Sequence, residues 1–378
     1  MSSLKSAFLM QLLLISILLL LPVGLSTLHR SLEENNSSTA SKPLARALFV
    51  FGDSTVDCGS NYHLVTIARP YFLPYGRDFD THLPTGRFCN GRIIVDYLAL
   101  QLGLPFVPPF MVPENGEEVE NMMKGVNYAS GGAGVLYFSG SDLGQRVPLA
   151  QQMVHAKETF QKFAVNMGSL EAADMISHSV FYFSIGSNDF IHYYLANASG
   201  VRSHYPPWEF NQLLAQNIIQ ELKNLYYYKV RKVVVMGLAP LGCTPFYVLT
   251  RKNGECIEQI NNMIVEFNFL MRYMVNELSQ ELADAKITFC DAYEGSVDII
   301  NNRKKYGFDS TDACCEDDKH GGLPLCLNES LVCRNASTHI WWDEFHPTDK
   351  VNEILADNVW SGQHAKMCYP MYLQDMVK

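Results

Sequence analysis

One serine of this chain lies where a catalytic nucleophile is expected. Residues 47–51 form a short apolar run, and Gly52 and Asp53 turn the chain immediately before Ser54. The pattern predicts a buried strand that ends at the serine, and ligands bind at the carboxyl ends of strands in open α/β sheets. A serine there acts as a nucleophile when a base and an oxyanion hole are supplied from elsewhere. The alternative is that Ser54 or Asp53 only caps the next helix.

Asp343 and His346 have the residue types and the spacing of the partners that such a serine needs. They lie three residues apart, and Pro347 disfavours a helical backbone at His346, so both are expected on a loop. Histidine can accept the serine proton because its unperturbed pKa lies near neutrality. A carboxylate on the second ring nitrogen fixes the tautomer and stabilises the imidazolium. Taken singly, each would also suit an ordinary surface or loop residue.

The backbone amides of Ser54 and Gly132 and the side-chain amide of Asn188 are candidate donors to an oxyanion. Gly132 lies in the glycine-rich turn 130–134, and Asn188 follows the predicted strand 180–185. One such donor is worth about 3 kcal/mol in the transition state. Each turn alone would be unremarkable, but their order and their places at strand ends favour the catalytic interpretation.

Strands and helices alternate from residue 44 onward. The strands are predicted at 47–51, 125–128, 180–185, 232–236 and 287–290, and the helices at 92–102, 147–163, 208–228, 258–282 and 347–360. This order predicts an α/β domain with a central parallel sheet of about five strands, covered on both faces. Residues 79–91 and the cysteine-rich segment 301–338 are predicted as loops.

The N-terminal residues 1–26 have the pattern of a secretory signal peptide. Lys5 is followed by an apolar run and then by small residues. A membrane anchor is the alternative, but Gln11 and Ser16 interrupt the run, and Pro22 ends it. We therefore expect a secreted, extracellular protein without a stable membrane anchor.

The remaining chain is predicted as a polar leader (27–43), one folded domain (44–366) and a C-terminal tail (367–378). The full sequence of 378 residues carries a formal net charge of −10, without a block of five like charges, which argues against nucleic acid as a partner. The oligomeric state is not predicted.

Ten cysteines agree with an oxidising compartment. No Cys-x-x-Cys pair occurs, so disulfides rather than a zinc site are expected, and the sequence leaves their connectivity open. Cys243 and Cys256 flank a short segment that suits a disulfide, and four cysteines crowd the region before Asp343. Candidate N-glycosylation sites are Asn35, Asn36, Asn197, Asn328 and Asn335.

Four segments together resemble the GDSL esterase/lipase family of plants, a branch of the SGNH hydrolases. These are residues 51–54, 127–134, 186–189 and 343–347, and residues 84–88 also resemble the plant branch. The resemblance covers residues 45 to 365. It implies a flavodoxin-like three-layer α/β/α sandwich, with Ser54 as nucleophile, His346 as base and Asp343 as its orienting carboxylate. Gly132 and Asn188 would complete the oxyanion hole.

Two features depart from the family pattern. Thr55 stands where the family name places leucine, but this position follows the nucleophile and is not itself chemical. Cys58 and Cys89 replace other residues common in relatives, and either an extra disulfide or two buried thiols would fit.

The predicted function is a secreted serine hydrolase that cleaves carboxylic (acyl or lipid-type) esters through an acyl-enzyme, with no metal or organic cofactor. An acyltransferase with the same site and a non-catalytic secreted binding or defence protein are the alternatives. The partner is a small or polymeric ester: fatty esters, acetylated polysaccharide, cutin-type polyesters and esterified metabolites all remain open. The aromatic segments 71–75, 137–138 and 190–195 suit a pocket wall or the core, and the core is favoured.

Overall fold

The computed structural model describes residues 42–110, 119–250, 254–315 and 325–378. The predicted signal peptide, most of the leader and the sequons at Asn35 and Asn36 lie outside these residues. Residues 43–378 form one compact unit. In the described ranges no helix combines the length and the apolar character that crossing a membrane requires.

Eight strands are present in the described residues. They are β1 Leu48–Gly52, β2 Gly125–Asn127, β3 Val180–Ser184, β4 Lys232–Met236, β5 Lys286–Cys290, β6 Ser310–Ala313, β7 His339–Trp341 and β8 Cys368–Tyr369. The main sheet has the order β2-β1-β3-β4-β5-β8, whereas β6 and β7 pair separately. The first five strands of the main sheet run parallel, and β8 runs antiparallel to β5. The order 2-1-3-4-5 is that of flavodoxin-like folds, with its switch point between β1 and β3.

Helices cover both faces of the main sheet. They are α1 Ile94–Gln101, α2 Val119–Met122, α3 Leu149–Met167, α4 Ser169–Ser177, α5 Val201–His204, α6 Pro207–Tyr227, α7 Pro245–Val248, α8 Glu258–Glu281, α9 Ala292–Asn301, α10 Asp349–Ser361 and α11 Leu373–Met376. Helices α3, α4, α6 and α8 share one buried cluster with the sheet, and α1, α9, α10 and α11 share the other. The predicted three-layer α/β/α architecture is therefore confirmed.

Strand β1 shows why the sheet is buried on both sides. Its side chains alternate, so that Phe49 and Phe51 enter the first cluster while Leu48 and Val50 enter the second. The ring of Phe51 stacks on Phe183 of β3 at a centroid distance of 4.6 Å. Full burial of such a side chain contributes about 2 kcal/mol, and this packing fixes the centre of the sheet.

The C-terminal part of the fold differs from the prediction. Residues 367–378 are not a tail, because β8 pairs with β5 and Cys368 is disulfide-bonded to Cys290. Strand β5 is therefore not the last strand, and β6 lies inside the segment predicted as loop. Helices α4 and α9 were not predicted, although Asp291 caps α9 by accepting from the amides of Tyr293 and Glu294. A two-residue strand is too short to show an alternating pattern.

Four disulfides are present in the described residues: Cys243–Cys256, Cys290–Cys368, Cys314–Cys333 and Cys315–Cys326. The first was predicted as a pair, and the last two resolve the predicted cluster. Cys58 and Cys89 are free and buried, so the two-thiol alternative holds. The asparagines of the three described sequons, Asn197, Asn328 and Asn335, are exposed.

Candidate active site

The end of β1 presents Ser54 through a close approach of two strands. A Cβ on Gly52 would lie 2.4 Å from the carbonyl oxygen of Ser184, so only glycine fits. The Gly52 amide donates to Oε1 of Gln152 (2.9 Å), and Nε2 of Gln152 donates back to the Gly52 carbonyl (2.8 Å). The Asp53 amide donates to the Ser184 carbonyl at 3.2 Å, after which the chain turns. Ser54 is left partly exposed at the carboxyl edge of the sheet.

The Asp53 side chain is buried beneath that turn, and Thr55 supplies hydrogen-bond donors to its carboxylate. Oδ1 of Asp53 accepts from the Thr55 amide (3.0 Å) and hydroxyl (2.8 Å). Burial raises the pKa of the Asp53 carboxyl, and the two Thr55 donors partly oppose that rise. Thr55, which stands where the family name places leucine, therefore supplies a hydroxyl donor that leucine lacks.

Ser54, His346 and Asp343 are joined in one hydrogen-bonded chain. Nε2 of His346 lies 2.8 Å from Oγ of Ser54, and Nδ1 lies 2.9 Å from both carboxylate oxygens of Asp343. Asp343 is 1% exposed and His346 is 7% exposed. With Nδ1–H directed at the carboxylate, Nε2 is left to accept the serine proton.

Four donors hold the Asp343 carboxylate in place. Oδ1 accepts from the amides of Phe345 (2.9 Å) and His346 (2.8 Å), in addition to the imidazole. Oδ2 accepts from the hydroxyl of Tyr75 at 2.7 Å, and that hydroxyl accepts from the Cys326 amide at 3.0 Å. Tyr75 is completely buried. It therefore connects the Cys315–Cys326 disulfide to the carboxylate.

The loop that carries Asp343 and His346 is closed on itself. The Trp342 amide donates to the His346 carbonyl at 2.7 Å, and the ring of Phe345 packs 4.7 Å from Phe246. The ring of Phe88 lies 5.0 Å from the imidazole on the other side. These contacts leave the imidazole little freedom to turn away from Ser54.

The predicted oxyanion donors lie beside Ser54 in the same pocket. Gly132 has a φ of +81°, a conformation that favours glycine. Nδ2 of Asn188 donates to the carbonyl of Ala133 at 2.9 Å. Since an amide nitrogen carries two hydrogens, this bond fixes the Asn188 side chain and leaves a second N–H to offer. Gly132, Asn188, Ser54 and His346 all line one pocket.

Two buried carboxylates, Asp57 and Asp189, order the glycine turn. Asp57 accepts from the amides of Gly59, Ser60 and Gly131, and Asp189 accepts from the amides of Val135 and Leu136 and from the Ser139 hydroxyl. Burial raises the pKa of each carboxyl to about 6. The sequence analysis did not identify these roles, because a lone aspartate carries no pattern that separates it from a capping residue.

The pocket walls are mainly aliphatic. Of the aromatic segments considered from the sequence, Tyr75 and Phe190 lie in the core, as favoured, whereas residues 137–138 are exposed. Segment 190–195 contributes only Ile191 and His192 to the pocket.

The described residues contain one cluster with metal-ligand geometry, formed by Cys314, Cys333 and His339. Its two cysteines are disulfide-bonded to each other, so they offer no thiolate to a metal.

Comparison with known proteins identifies the family of this chain. The model of the GDSL-like Lipase/Acylhydrolase family matches residues 48–359. The GDSL esterase/lipase At1g71691 of Arabidopsis thaliana is 37% identical over 332 residues, which cover 87% of this chain and 85% of that protein. The GDSL esterase/lipase 7 of the same plant is 36% identical over 353 residues, covering 91% and 95%.

Proposed function

The chain belongs to the GDSL-like lipase/acylhydrolase family and is a carboxylic ester hydrolase, and we propose that it cleaves acyl esters through Ser54, His346 and Asp343. Oγ of Ser54 attacks the ester carbonyl while Nε2 of His346 takes its proton. Asp343 stabilises the imidazolium that forms. The amides of Ser54 and Gly132 and the side chain of Asn188 donate to the oxyanion.

Collapse of the tetrahedral intermediate completes the first half of the reaction. His346 returns the proton to the leaving alcohol, and the acyl group stays on Ser54 as an ester. Water then enters the position of the alcohol and attacks the acyl carbonyl while Nε2 of His346 takes its proton. When the bond between the acyl carbon and Oγ breaks, His346 gives that proton to Oγ of Ser54 and the acid is released. The observation that carries the proposal is the 2.8 Å contact between Ser54 and His346, two residues 292 positions apart, beside Gly132 and Asn188.

A covalent probe and one substitution test this mechanism together. A p-nitrophenyl alkylphosphonate should label Ser54 of the native protein, and intact mass should show one adduct. Ser54→Ala should take up no label and lose at least about 1,000-fold in ester hydrolysis, with an unchanged melting temperature. Ser177→Ala, at the partly exposed end of α4, is the matched control and should keep both properties. Normal turnover by folded Ser54→Ala would reject the proposal.

The same site could pass the acyl group to an alcohol instead of water. Product analysis in the presence of a competing alcohol distinguishes the two: free acid as the main product supports hydrolysis. Labelling of Ser54 without turnover of any ester would favour the non-catalytic alternative.

We also propose that the protein is secreted after removal of residues 1–26. Four disulfides among the described residues support an oxidising compartment. Cleavage removes Lys5, the one charged residue of that segment, and moves the formal charge from −10 to −11. Intact mass of the secreted form should show the shortened chain plus N-glycans, whereas retention of residues 1–26 in a membrane fraction would favour the anchor.

A further inference from the structure

A second histidine–aspartate pair lies at the wall of the catalytic pocket. His192 lines this pocket together with Ser54 and Asn188, and its Nδ1 lies 2.8 Å from Oδ2 of Asp142. The hydroxyl of Ser54 is already hydrogen-bonded to His346. The second pair is therefore not the base for the serine, and the proposed mechanism leaves it without a role.

The backbone places His192 next to a predicted oxyanion donor. His192 belongs to the π-helical segment Asp189–Leu195, which directly follows Asn188. Because a π-helix closes i→i+5 hydrogen bonds, His192 lies about one turn after Asn188 on nearly the same face. Such turns are rare and occur frequently at functional sites. The imidazole therefore lies close to the side of the pocket that would bind the ester carbonyl.

Asp142 belongs to the segment that packs on the other predicted donor. It lies in the 3₁₀ turn Ser141–Leu143. Gly140, the residue before this turn, approaches so closely that a Cβ there would lie 2.0 Å from the Gly132 carbonyl oxygen. The bond between His192 and Asp142 thus ties the imidazole to the backbone next to Gly132.

The carboxylate fixes which nitrogen of His192 carries the hydrogen. An ionised carboxylate only accepts hydrogen bonds, so Nδ1 donates to Asp142, and Nε2 of the neutral imidazole is left as an acceptor. The His192 side chain is 15% exposed, whereas that of Asp142 is 59% exposed and does not line the pocket. Within the part of the chain that the structure describes, the imidazole has Asp142 as its one hydrogen-bond partner. Nε2 is therefore the ring nitrogen that remains for a bound ligand.

An acceptor at this position selects ligands by the hydrogen that they bring. In a mainly aliphatic pocket, a few placed polar groups fix the orientation of the ligand. A ligand that covers Nε2 without a donor loses the hydrogen bond that this nitrogen made to water. Alkyl, ester and ether groups have no hydrogen to donate, whereas a hydroxyl does.

We propose that His192 is a specificity-determining residue, whose Nε2 accepts a hydrogen bond from a hydroxyl of the substrate while Asp142 holds Nδ1. The hydroxyl belongs either to the alcohol part, as in a partial ester of a polyol, or to the acyl part, as in an ester of a hydroxy acid. The inference rests on the proposed function, because Ser54 must cleave the ester that His192 selects.

Two pairs of esters test this role and distinguish the two sources of the hydroxyl. 2-Hydroxyethyl and 2-methoxyethyl butyrate vary the alcohol part, and ethyl 3-hydroxybutyrate and ethyl 3-methoxybutyrate vary the acyl part. Each pair keeps an oxygen at the same place, but only the hydroxyl donates. In one of the pairs, kcat/KM of the native protein should be at least about fivefold higher for the hydroxyl ester, measured by titration of the released acid. Equal values within both pairs would overturn the inference.

His192→Phe keeps an aromatic ring but removes the acceptor. In the pair that shows the preference, the ratio of hydroxyl to methoxy activity should fall at least about threefold. His364→Phe is the matched control and should keep the native ratio, since His364 also lies 3.3 Å from a carboxylate, that of Asp357, but does not line the pocket. An equal loss for both esters in folded His192→Phe would mean that His192 only positions its segment, and would overturn the inference.

Asp142→Asn tests the tautomer while the imidazole is retained. An amide donates as well as accepts, so the hydrogen is no longer confined to Nδ1, and an Nε2–H can donate to a methoxy oxygen. The ratio of hydroxyl to methoxy activity should fall at least about twofold, whereas Asp357→Asn, at the pair outside the pocket, should leave it unchanged. A native ratio in folded Asp142→Asn would overturn the assignment of Nε2 as a fixed acceptor.

The methoxy esters also separate this inference from the proposed function. If the native protein cleaves them through Ser54 without any preference for the hydroxyl esters, the role of His192 fails while the proposed function stands. If Ser54→Ala cleaves all four esters as well as the native protein does, the proposed function itself fails.

Discussion

The two halves of the candidate site are held by different means. Ser54 follows β1, whose residues pair with β2 on one side and β3 on the other. Asp343 and His346 lie on a loop between β7 and α10, outside the main sheet. The nucleophile half is thus fixed by pairing within the central sheet, whereas the base half is held by the separate β6–β7 pair, by side-chain contacts and by two disulfides.

The two halves should therefore respond differently to substitution. Loss of a donor in the nucleophile half should affect the transition state, because the strand ends keep their positions. Loss of a support in the base half should let the imidazole move, and a misplacement of about 1 Å can cost about 100-fold in rate.

Asn188→Ala should have the largest effect of a change that leaves Ser54, His346 and Asp343 intact. In the proposed mechanism the side chain donates to the oxyanion, so kcat is expected to fall about 100-fold or more with a smaller change in KM. Steady-state kinetics on a p-nitrophenyl ester measures both. A loss mainly in KM would make Asn188 a residue for substrate binding.

Removal of a disulfide should act differently in the two parts of the molecule. The double variant Cys315→Ser/Cys326→Ser frees the Cys326 amide that donates to Tyr75, and we expect activity to fall at least about tenfold. Cys290→Ser/Cys368→Ser is the control, because that disulfide joins β5 to β8 at the sheet edge. That disulfide closes 78 residues rather than 11, so its removal should lower the free energy of unfolding more, by about 4.5 kcal/mol against about 3 kcal/mol.

Activity at 25 °C and chemical denaturation separate the two effects. The base-half variant should lose rate out of proportion to its stability, and the sheet-edge variant should lose stability while keeping most of its rate. Equal loss of rate in both would remove the distinction between the halves. Thiol reductant should likewise inactivate the native protein reversibly, whereas alkylation without reduction should do little.

The sequence predicts the nucleophile half well because its signals are local. An apolar run, Gly52 and Ser54 lie within eight residues, and the glycine turn and Asn188 follow strands of the same kind. The base half was predicted only in part. Asp343 and His346 are three residues apart, but Tyr75 is 268 residues from Asp343. The sequence around a buried tyrosine does not show whether its hydroxyl supports a catalytic residue or whether its ring only fills the core.

Other features could not be predicted for related physical reasons. The pairing of Cys290 with Cys368 depends on how a C-terminal segment returns to the sheet, which spacing alone does not specify. The pocket beside Ser54 is lined partly by residues at ordinary helical spacing, such as Ile299 and Leu355. The sequence indicates that they are buried, but whether they meet across a gap is decided by packing.

Tyr75→Phe should lower kcat by about tenfold and leave KM nearly unchanged. The hydroxyl is one of the donors to Asp343, and its loss removes both that bond and the acceptor of the Cys326 amide. Without that bond the carboxylate and the imidazole that it orients are held less firmly, so kcat should fall out of proportion to any change in the melting temperature. A core role alone would lower the melting temperature without lowering kcat at 25 °C. Phe72→Leu, a partly buried neighbour that packs on the same cluster, is the control for packing.

The last prediction concerns the protonation of Asp189 in the nucleophile half, which should change the stability of the fold and have the smallest effect on rate. Burial raises the pKa of Asp189 from 3.8 to about 6, so between these values the folded protein binds more protons than the unfolded chain. The free energy of unfolding must then fall as pH rises from about 4 to about 6, by up to about 3 kcal/mol for this group. Asp189→Asn removes this titration. The free energy of unfolding of the native protein minus that of the variant should therefore fall as pH rises through that window, whatever constant offset separates the two proteins. Asp312→Asn, at an exposed carboxylate, should leave the native pH dependence unchanged. Denaturant unfolding at several pH values measures how the free energy of unfolding depends on pH. Parallel curves for the native protein and Asp189→Asn would contradict the prediction, because they would mean that the three donors to this carboxylate outweigh its burial.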